Sequence, residues 1–253
     1  MRGIQSKSIQ CDEIWSFCYA KQRNLPSASA APEGSGDVSW TALDGDTKLI
    51  VSWLVGSRDS YAALLFLRDL RARLATNPQI STDGHGAYLQ AMQYAFGNEI
   101  DYAMLIEVFG PSIDSKPGRY SPLSVVGAHT KVISGNLDPA HINTSFAERQ
   151  NLTMRMSMRR YTRLTNGFSK KFENHCHALA LYFFHYNWLR IHKTLRVTPA
   201  MAAGISKGLL SWETIIELVD QAEQKALVAK RWEAEHSGAP TSGMAFRNTG
   251  DQV

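Results

Sequence analysis

The sequence of 253 residues predicts an α/β fold, a mixed β-sheet flanked by helices with a C-terminal helical extension. Three observations predict it. Two apolar runs flank Asp44-Gly45-Asp46, and Asp-Gly is a strong hairpin signal, so the early strands are expected to be antiparallel. Later strand-like runs alternate with segments of helical periodicity, the pattern of a sheet covered by helices. Apolar residues make up 44% of the chain and charged residues 20%, which is ordinary for a globular protein and supplies a core.

Each element has its own signal. Residues 8–19, SIQCDEIWSFCY, are rich in β-branched and aromatic types and predict the first strand. Residues 21–36 form a Pro/Gly/Ser/Ala loop. Residues 38–43 and 47–55 are the two arms of the hairpin. Over 60–74, Ala63, Leu64, Leu67, Leu70 and Leu74 recur at helical spacing, with Ser57 or Asp59 as the cap. Residues 78–82 make a short strand that runs into Asp83-Gly84, and 86–96 read as a helix. Residues 97–123 carry no clear element; GPSIDSKPGRYSPLS, from Gly110, is turn-rich and reads as irregular, and 124–133 reads as a strand. Two long helices are expected over 145–161 and 168–192, broken near Thr165-Asn166-Gly167. Pro199 opens a short helix and 211–232 form another. Trp15, Trp40, Trp53, Tyr182, Phe183 and Trp188 read as core. The domain division expected is 1–205, with an insertion about 99–137, then a helical segment 206–234 and a polar, Gly-rich, disordered tail 235–253.

Composition narrows the class. Three cysteines (Cys11, Cys18, Cys176) are too few for a disulfide framework and lack zinc-site spacing. No run reaches the ~18 uncharged apolar residues of a membrane helix, and the N-terminus has no apolar stretch typical of a signal peptide. The charge distribution is uneven. The net charge is +4, yet residues 148–196 hold ten Lys/Arg against Glu148 and Glu173, a net +8. A block of that kind suits a polyanion, although a solvated helix surface accounts for it equally well.

Three carboxylates stand out. Asp12 lies inside the first strand, where a charge is costly unless it is paired or binds a cation. Its neighbour Glu13 is expected to face the other way. Asp83 ends the short strand, the place where ligand groups project from open sheets. Glu148 opens the basic helix. Singly, each has an ordinary explanation: an edge-strand charge, an Asp-Gly turn, and a Ser145-x-x-Glu148 capping box. Together, they would form an oxygen-only set suited to Mg²⁺ or Mn²⁺. Two such ions can clamp the attacking and leaving oxygens of a phosphodiester without a side-chain nucleophile. Helical spacing then lines up Glu148, Leu152, Arg155 and Arg159, with Arg160 and Arg163 to the side as further phosphate contacts.

These residues carry a resemblance. CDEIWSF around Asp12, the WTALDGDTKLIVSWLVG hairpin, STDGHGAY around Asp83 and AERQNLTMRMSMRRYTRLTNGFSKKFENH around Glu148 resemble bacterial insertion sequence 1 family transposases with a DDE triad. YNWLRIHKTLRVTPAMAAGI, residues 186–205, resembles a C-terminal motif of related transposases. The resemblance covers roughly residues 8–205. It implies an RNase H-like catalytic domain, with Asp12, Asp83 and Glu148 as catalytic and metal-binding residues for two Mg²⁺ or Mn²⁺ ions. It implies cleavage of double-stranded DNA at transposon ends and strand transfer to target DNA. Arg149, Arg155, Arg159, Arg160, Arg163, Lys170 and Lys171 are the expected DNA contacts. A homo-oligomer assembled on DNA and a location in the bacterial cytoplasm, at the nucleoid, are also implied.

Two features depart from the family pattern. The interval from Asp83 to Glu148 is long, which makes Glu107 a rival third ligand; the arginine-rich context favours Glu148. Asp12 also lies close to Met1, so a separate or fused DNA-recognition partner is expected. The alternative is a catalytically inactive DNA-binding remnant that inhibits transposition. His175 reads as a helix-surface or site-rim residue, and His85 as an exposed turn histidine.

Overall fold

The computed structural model describes residues 1–21, 24–25, 32–98, 100–110, 124–162 and 165–236. The chain divides into two compact units, Met1–Leu209 and Leu210–Val253. The first is an α/β unit built on a mixed six-stranded sheet. Its strands are β1 (Ser8–Trp15), β2 (Val38–Asp44), β3 (Ile50–Gly56), β4 (Gln79–Asp83), β5 (Tyr102–Gly110) and β6 (Ser124–Ser134). Their order across the sheet is β3-β2-β1-β4-β5-β6. β1, β2 and β3 pair antiparallel, β1, β4 and β5 pair parallel, and β6 returns antiparallel to β5.

Among the described residues the α-helices are α1 (Ser60–Arg73), α2 (Ala87–Phe96), α3 (Ser145–Ser157), α4 (Phe172–Phe184), the short α5 (Pro199–Ala202) and α6 (Trp212–His236). α6 belongs to the second unit. Alternation along the strands feeds two cores. Ile9, Cys11 and Trp40 pack with Phe66 and Leu67 of α1 and with Tyr88 and Met92 of α2. Ile14, Leu43 and Ile50 pack with Met154 of α3 and with Leu179 and Phe183 of α4. β2 is buried along its whole length, as expected of a strand covered on both faces.

Local chemistry explains the boundaries. Asp59 caps α1, its side chain accepting from Ala62 N at 2.9 Å. Asp44 organises the hairpin turn: its Oδ1 accepts from Asp46 N, Thr47 N and Thr47 Oγ1. The turn is longer than the two-residue Asp-Gly loop expected, because Asp44 N bonds Leu49 O and Lys48 takes φ 60°.

Several expectations are corrected. β1 stops at Trp15, not at residue 19, and Cys18 makes only an isolated bridge to Ser169. Trp15 is 61% exposed and is not core, whereas Trp40 is fully buried. Tyr182 and Phe183 are buried as expected, and Trp53 and Trp188 pack half-buried against the two cores. Tyr102–Gly110, where the sequence predicts no element, is a strand. Its apolar run has no decisive period, and its pairing with β4 and β6 settles it. The expected helix 145–161 ends at Ser157 and continues as a 3₁₀ turn over Arg159–Tyr161. The helix expected over 168–192 begins at Phe172, and after Phe184 loosens into a π-helical turn over His185–Leu189. Residues 99 and 111–123 of the expected insertion, and 237–253 of the expected tail, lie outside the described residues. Among the described residues, no helix is long and apolar enough to cross a membrane.

Candidate active site

Strand register brings the two aspartates together. β1 and β4 run parallel with Cys11 opposite Thr82, so one step further Asp12, inside β1, lies beside Asp83, the last residue of β4. Beyond β4, Asp83 Oδ1 accepts from His85 N at 3.0 Å, closing the turn into α2.

Two rungs of β1 then fix α3. Gln10, buried on the same strand face as Asp12, uses its Oε1 to accept from Phe146 N and Ala147 N at 2.9 and 3.1 Å. Those amides open α3 and have no partner within the helix. Gln10 Nε2 donates to Asn143 Oδ1 at 2.6 Å. Two residues on, Asp12 Oδ2 accepts from Asn151 Nδ2 at 2.6 Å, and its Oδ1 accepts from Glu13 N at 2.7 Å. Glu148 lies one turn before Asn151, and its Oε1 accepts from Thr144 Oγ1 at 2.6 Å. Thr144 is the N-cap, so the Ser145-x-x-Glu148 capping box does not form; Ser145 Oγ donates to Asn143 instead.

The result is a cleft of about 710 Å³ lined by Asp12, Asp83, Glu148 and Arg155, and also by Glu13, Glu107, Arg58 and Asn151. Both candidates for the third acidic position, Glu148 and Glu107, therefore face it. Glu13 does as well, although it leaves β1 on the opposite face; its side chain is only 4% exposed.

Acidic groups dominate the electrostatics. Burial, reinforced by Asp83, Glu13 and Glu148, pushes the Asp12 carboxyl up to about 8, against the opposing Glu13 N hydrogen bond. Burial and Asp83 push Glu13 up to about 7, although Tyr88 and Arg58 oppose this. Burial, Glu148 and Asp83 also raise Glu107. Glu13 Oε1 and Asn151 Oδ1 are buried without a hydrogen-bond partner. A set of hard oxygen donors with excess negative charge fits a divalent cation of the Mg²⁺ or Mn²⁺ type. Among the described residues, no three His, Cys, Asp or Glu side chains are drawn together at ligating separation.

The basic residues divide. Arg155 lies two turns from Glu148 on α3 and lines the cleft. Arg149 is exposed but is not among the lining residues. Arg159 falls in the 3₁₀ turn after α3, off the helical row predicted for it, and Arg160, expected to the side of that row, lies in the same turn and donates from Nη1 to Asn174 O at 3.5 Å. Lys170 and Lys171 are exposed just before α4. Arg163 lies outside the described residues.

The histidine expectations change. His175 is buried, not on a rim: it contacts Tyr161 OH and Ser169 Oγ, and burial beside Arg160 lowers it to about 4. A neutral core histidine results. His85 is half-buried and stacks on Trp40, its rings 5.9 Å apart between centroids, while facing the cleft.

Arg58, Glu13, Asn151 and Gln10 were not singled out as site residues. Glu13 was set aside by strand alternation, which gives the face of a residue but not the reach of its side chain around a strand end. Gln10 had a usable signal, a polar residue two before Asp12 on a buried strand. Arg58 had none, because a turn arginine is ordinary. No protein-family model matches the chain, and no curated protein matches it in sequence.

Proposed function

We propose that the chain is the catalytic domain of a DDE transposase of the insertion sequence 1 type, on an RNase H-like fold. One observation carries the reading: Asp12, Asp83 and Glu148, from β1, β4 and α3, line a single cleft together with Arg155. The strand order, with three antiparallel strands followed by β4 parallel to β1 and β5 parallel to β4, is compatible with that fold.

Asp12, Asp83 and Glu148 would hold two Mg²⁺ or Mn²⁺ ions, with Glu107 as the rival to Glu148. Bound divalent ions supply Lewis-acid stabilisation of the attacking and leaving oxygens of a phosphodiester. The remaining tasks fall to the chain. Asn151 and the Glu13 amide orient the Asp12 carboxylate through both its oxygens. Gln10 ties α3 to β1, and so keeps Glu148 and Arg155 against the strand ends. Arg155 would bind a phosphate beside the reacting one, a positioning contact that reads no sequence. The substrate class is double-stranded DNA, and the outcome is strand cleavage followed by transfer to a target.

The test is Mg²⁺-dependent nicking and strand transfer on DNA carrying the element's own ends, with a recognition partner supplied. Wild type is expected to cut, while Asp12→Asn and Asp83→Asn bind and do not cut. Binding without cutting by wild type would favour the inactive DNA-binding remnant. End-independent cleavage of an RNA–DNA hybrid would replace the transposase reading with a general nuclease.

A further inference from the structure

A second arginine belongs to the cleft, reaching it from the layer opposite α3. Arg58 lies in the turn between β3 and α1, which packs on the first core, whereas Arg155 comes from α3 on the second. Both line the cleft.

Arg58 is tethered at one point. Its Nε donates to Glu13 Oε2 at 3.1 Å, and its Nη2 stops 3.9 Å from Asp83 Oδ2, too far for a hydrogen bond. Among the described residues, its two terminal nitrogens make no hydrogen bond. The holder and the held differ in exposure: the Glu13 side chain is 4% exposed and that of Arg58 is 36%. A guanidinium built only to neutralise Glu13 would engage both carboxylate oxygens in a fork. Here Arg58 engages Glu13 Oε2 alone. The geometry anchors the base of the guanidinium and leaves its terminal donors facing the cleft, the arrangement that suits a phosphate oxygen.

We propose that Arg58 grips a backbone phosphate of the DNA strand crossing the cleft, with Glu13 as the positioning residue that holds it there. The strand is then held from both sheet faces, by Arg155 and by Arg58. This inference rests on the DNA reading given above. The ligand class is a phosphodiester backbone, without base recognition.

The experiment uses the full chain and a fluorescently labelled duplex, with binding followed by anisotropy against salt in the presence of Mg²⁺. It is run in wild type and in an Asp83→Asn background, which removes the carboxylate that Arg58 approaches to 3.9 Å without bonding it. Arg58→Gln is expected to reduce the slope of log K against log salt by about 0.9, one duplex phosphate contact, in both backgrounds. Arg58→Lys is expected to keep the slope. Glu13→Gln should weaken binding when Arg58 is present and change nothing beside Arg58→Gln.

An unchanged slope for Arg58→Gln, with wild type binding DNA normally, overturns the inference and leaves the DNA reading standing. An effect confined to the background with Asp83 intact assigns Arg58 to charge neutralisation and also overturns it. Wild type that shows no salt-dependent DNA binding overturns both.

Discussion

Asn151 and Asp12, 139 positions apart, are joined by a 2.6 Å hydrogen bond from Nδ2 to Oδ2. The bond ties the first strand to the helix that carries Glu148. Asn151→Ala would leave a largely buried acceptor without its donor, which costs roughly 1–3 kcal/mol of stability. Urea unfolding measures that loss. The same variant should lose cleavage while retaining DNA affinity, since Asn151 orients a carboxylate and supplies no charge.

Gln10 is expected to behave as a structural clamp at the other rung. Gln10→Ala strips the acceptor from two α3 amides at once and should cost about 1–3 kcal/mol. Gln10→Glu keeps an acceptor at the positive end of α3 but loses the donor to Asn143, so its loss should be smaller. Hydrogen exchange of the Phe146 and Ala147 amides reads the site directly: both should exchange faster in Gln10→Ala. Equal protection in wild type and variant would remove Gln10 from the account of how α3 is held.

Stability of the metal-free protein should fall as pH rises from about 6.5 to 8. Asp12 moves from 3.8 to about 8 and Glu13 from 4.5 to about 7 on folding. Both are raised, so between about pH 4 and 8 these two sites bind more protons in the folded state than in the unfolded state, while His175, lowered from 6.5 to about 4, acts in the opposite sense below about pH 6.5. The contribution is complete below pH 4 and is lost as pH climbs through 7 and 8. Melting temperatures in chelator should therefore decline between about pH 6.5 and 8, above the range in which the buried His175 acts the other way. Asp12→Asn should flatten the decline, and Mg²⁺ should raise the melting temperature most at the alkaline end.

Arg155→Ala should weaken duplex binding and reduce the salt slope by about one phosphate contact. Arg149→Ala, on an exposed residue outside the cleft lining, should change cleavage less than Arg155→Ala at matched occupancy. Steady-state cleavage measured at saturating protein separates the two. Equal losses would mean that the cleft geometry does not distinguish these arginines.

The aspartates were legible because strands announce themselves. A charge inside a β-rich run and an Asp-Gly at a strand end are local facts, and Asp12 and Asp83 needed no folded structure to attract notice. The antiparallel start, the α1 cap at Asp59 and the helix opening at residue 145 were legible for the same reason. Each depends on residues within a few positions of one another.

What the linear order left undecided was everything set by pairing and packing. Register put Asp12 beside Asp83, and a one-residue slip would have turned one of them to the opposite face. β5 emerged only through its neighbours β4 and β6. Helical spacing proposed one continuous arginine face, but α3 ends at Ser157 and the row breaks before Arg159. Glu13 and Arg58, 45 positions apart, meet at 3.1 Å beside the cleft, a matter of distance through space. The sequence by itself determined which side chains carry the charge, and the tertiary structure decided which of them share a cleft, because Coulomb interactions depend on separations in the fold and not along the chain.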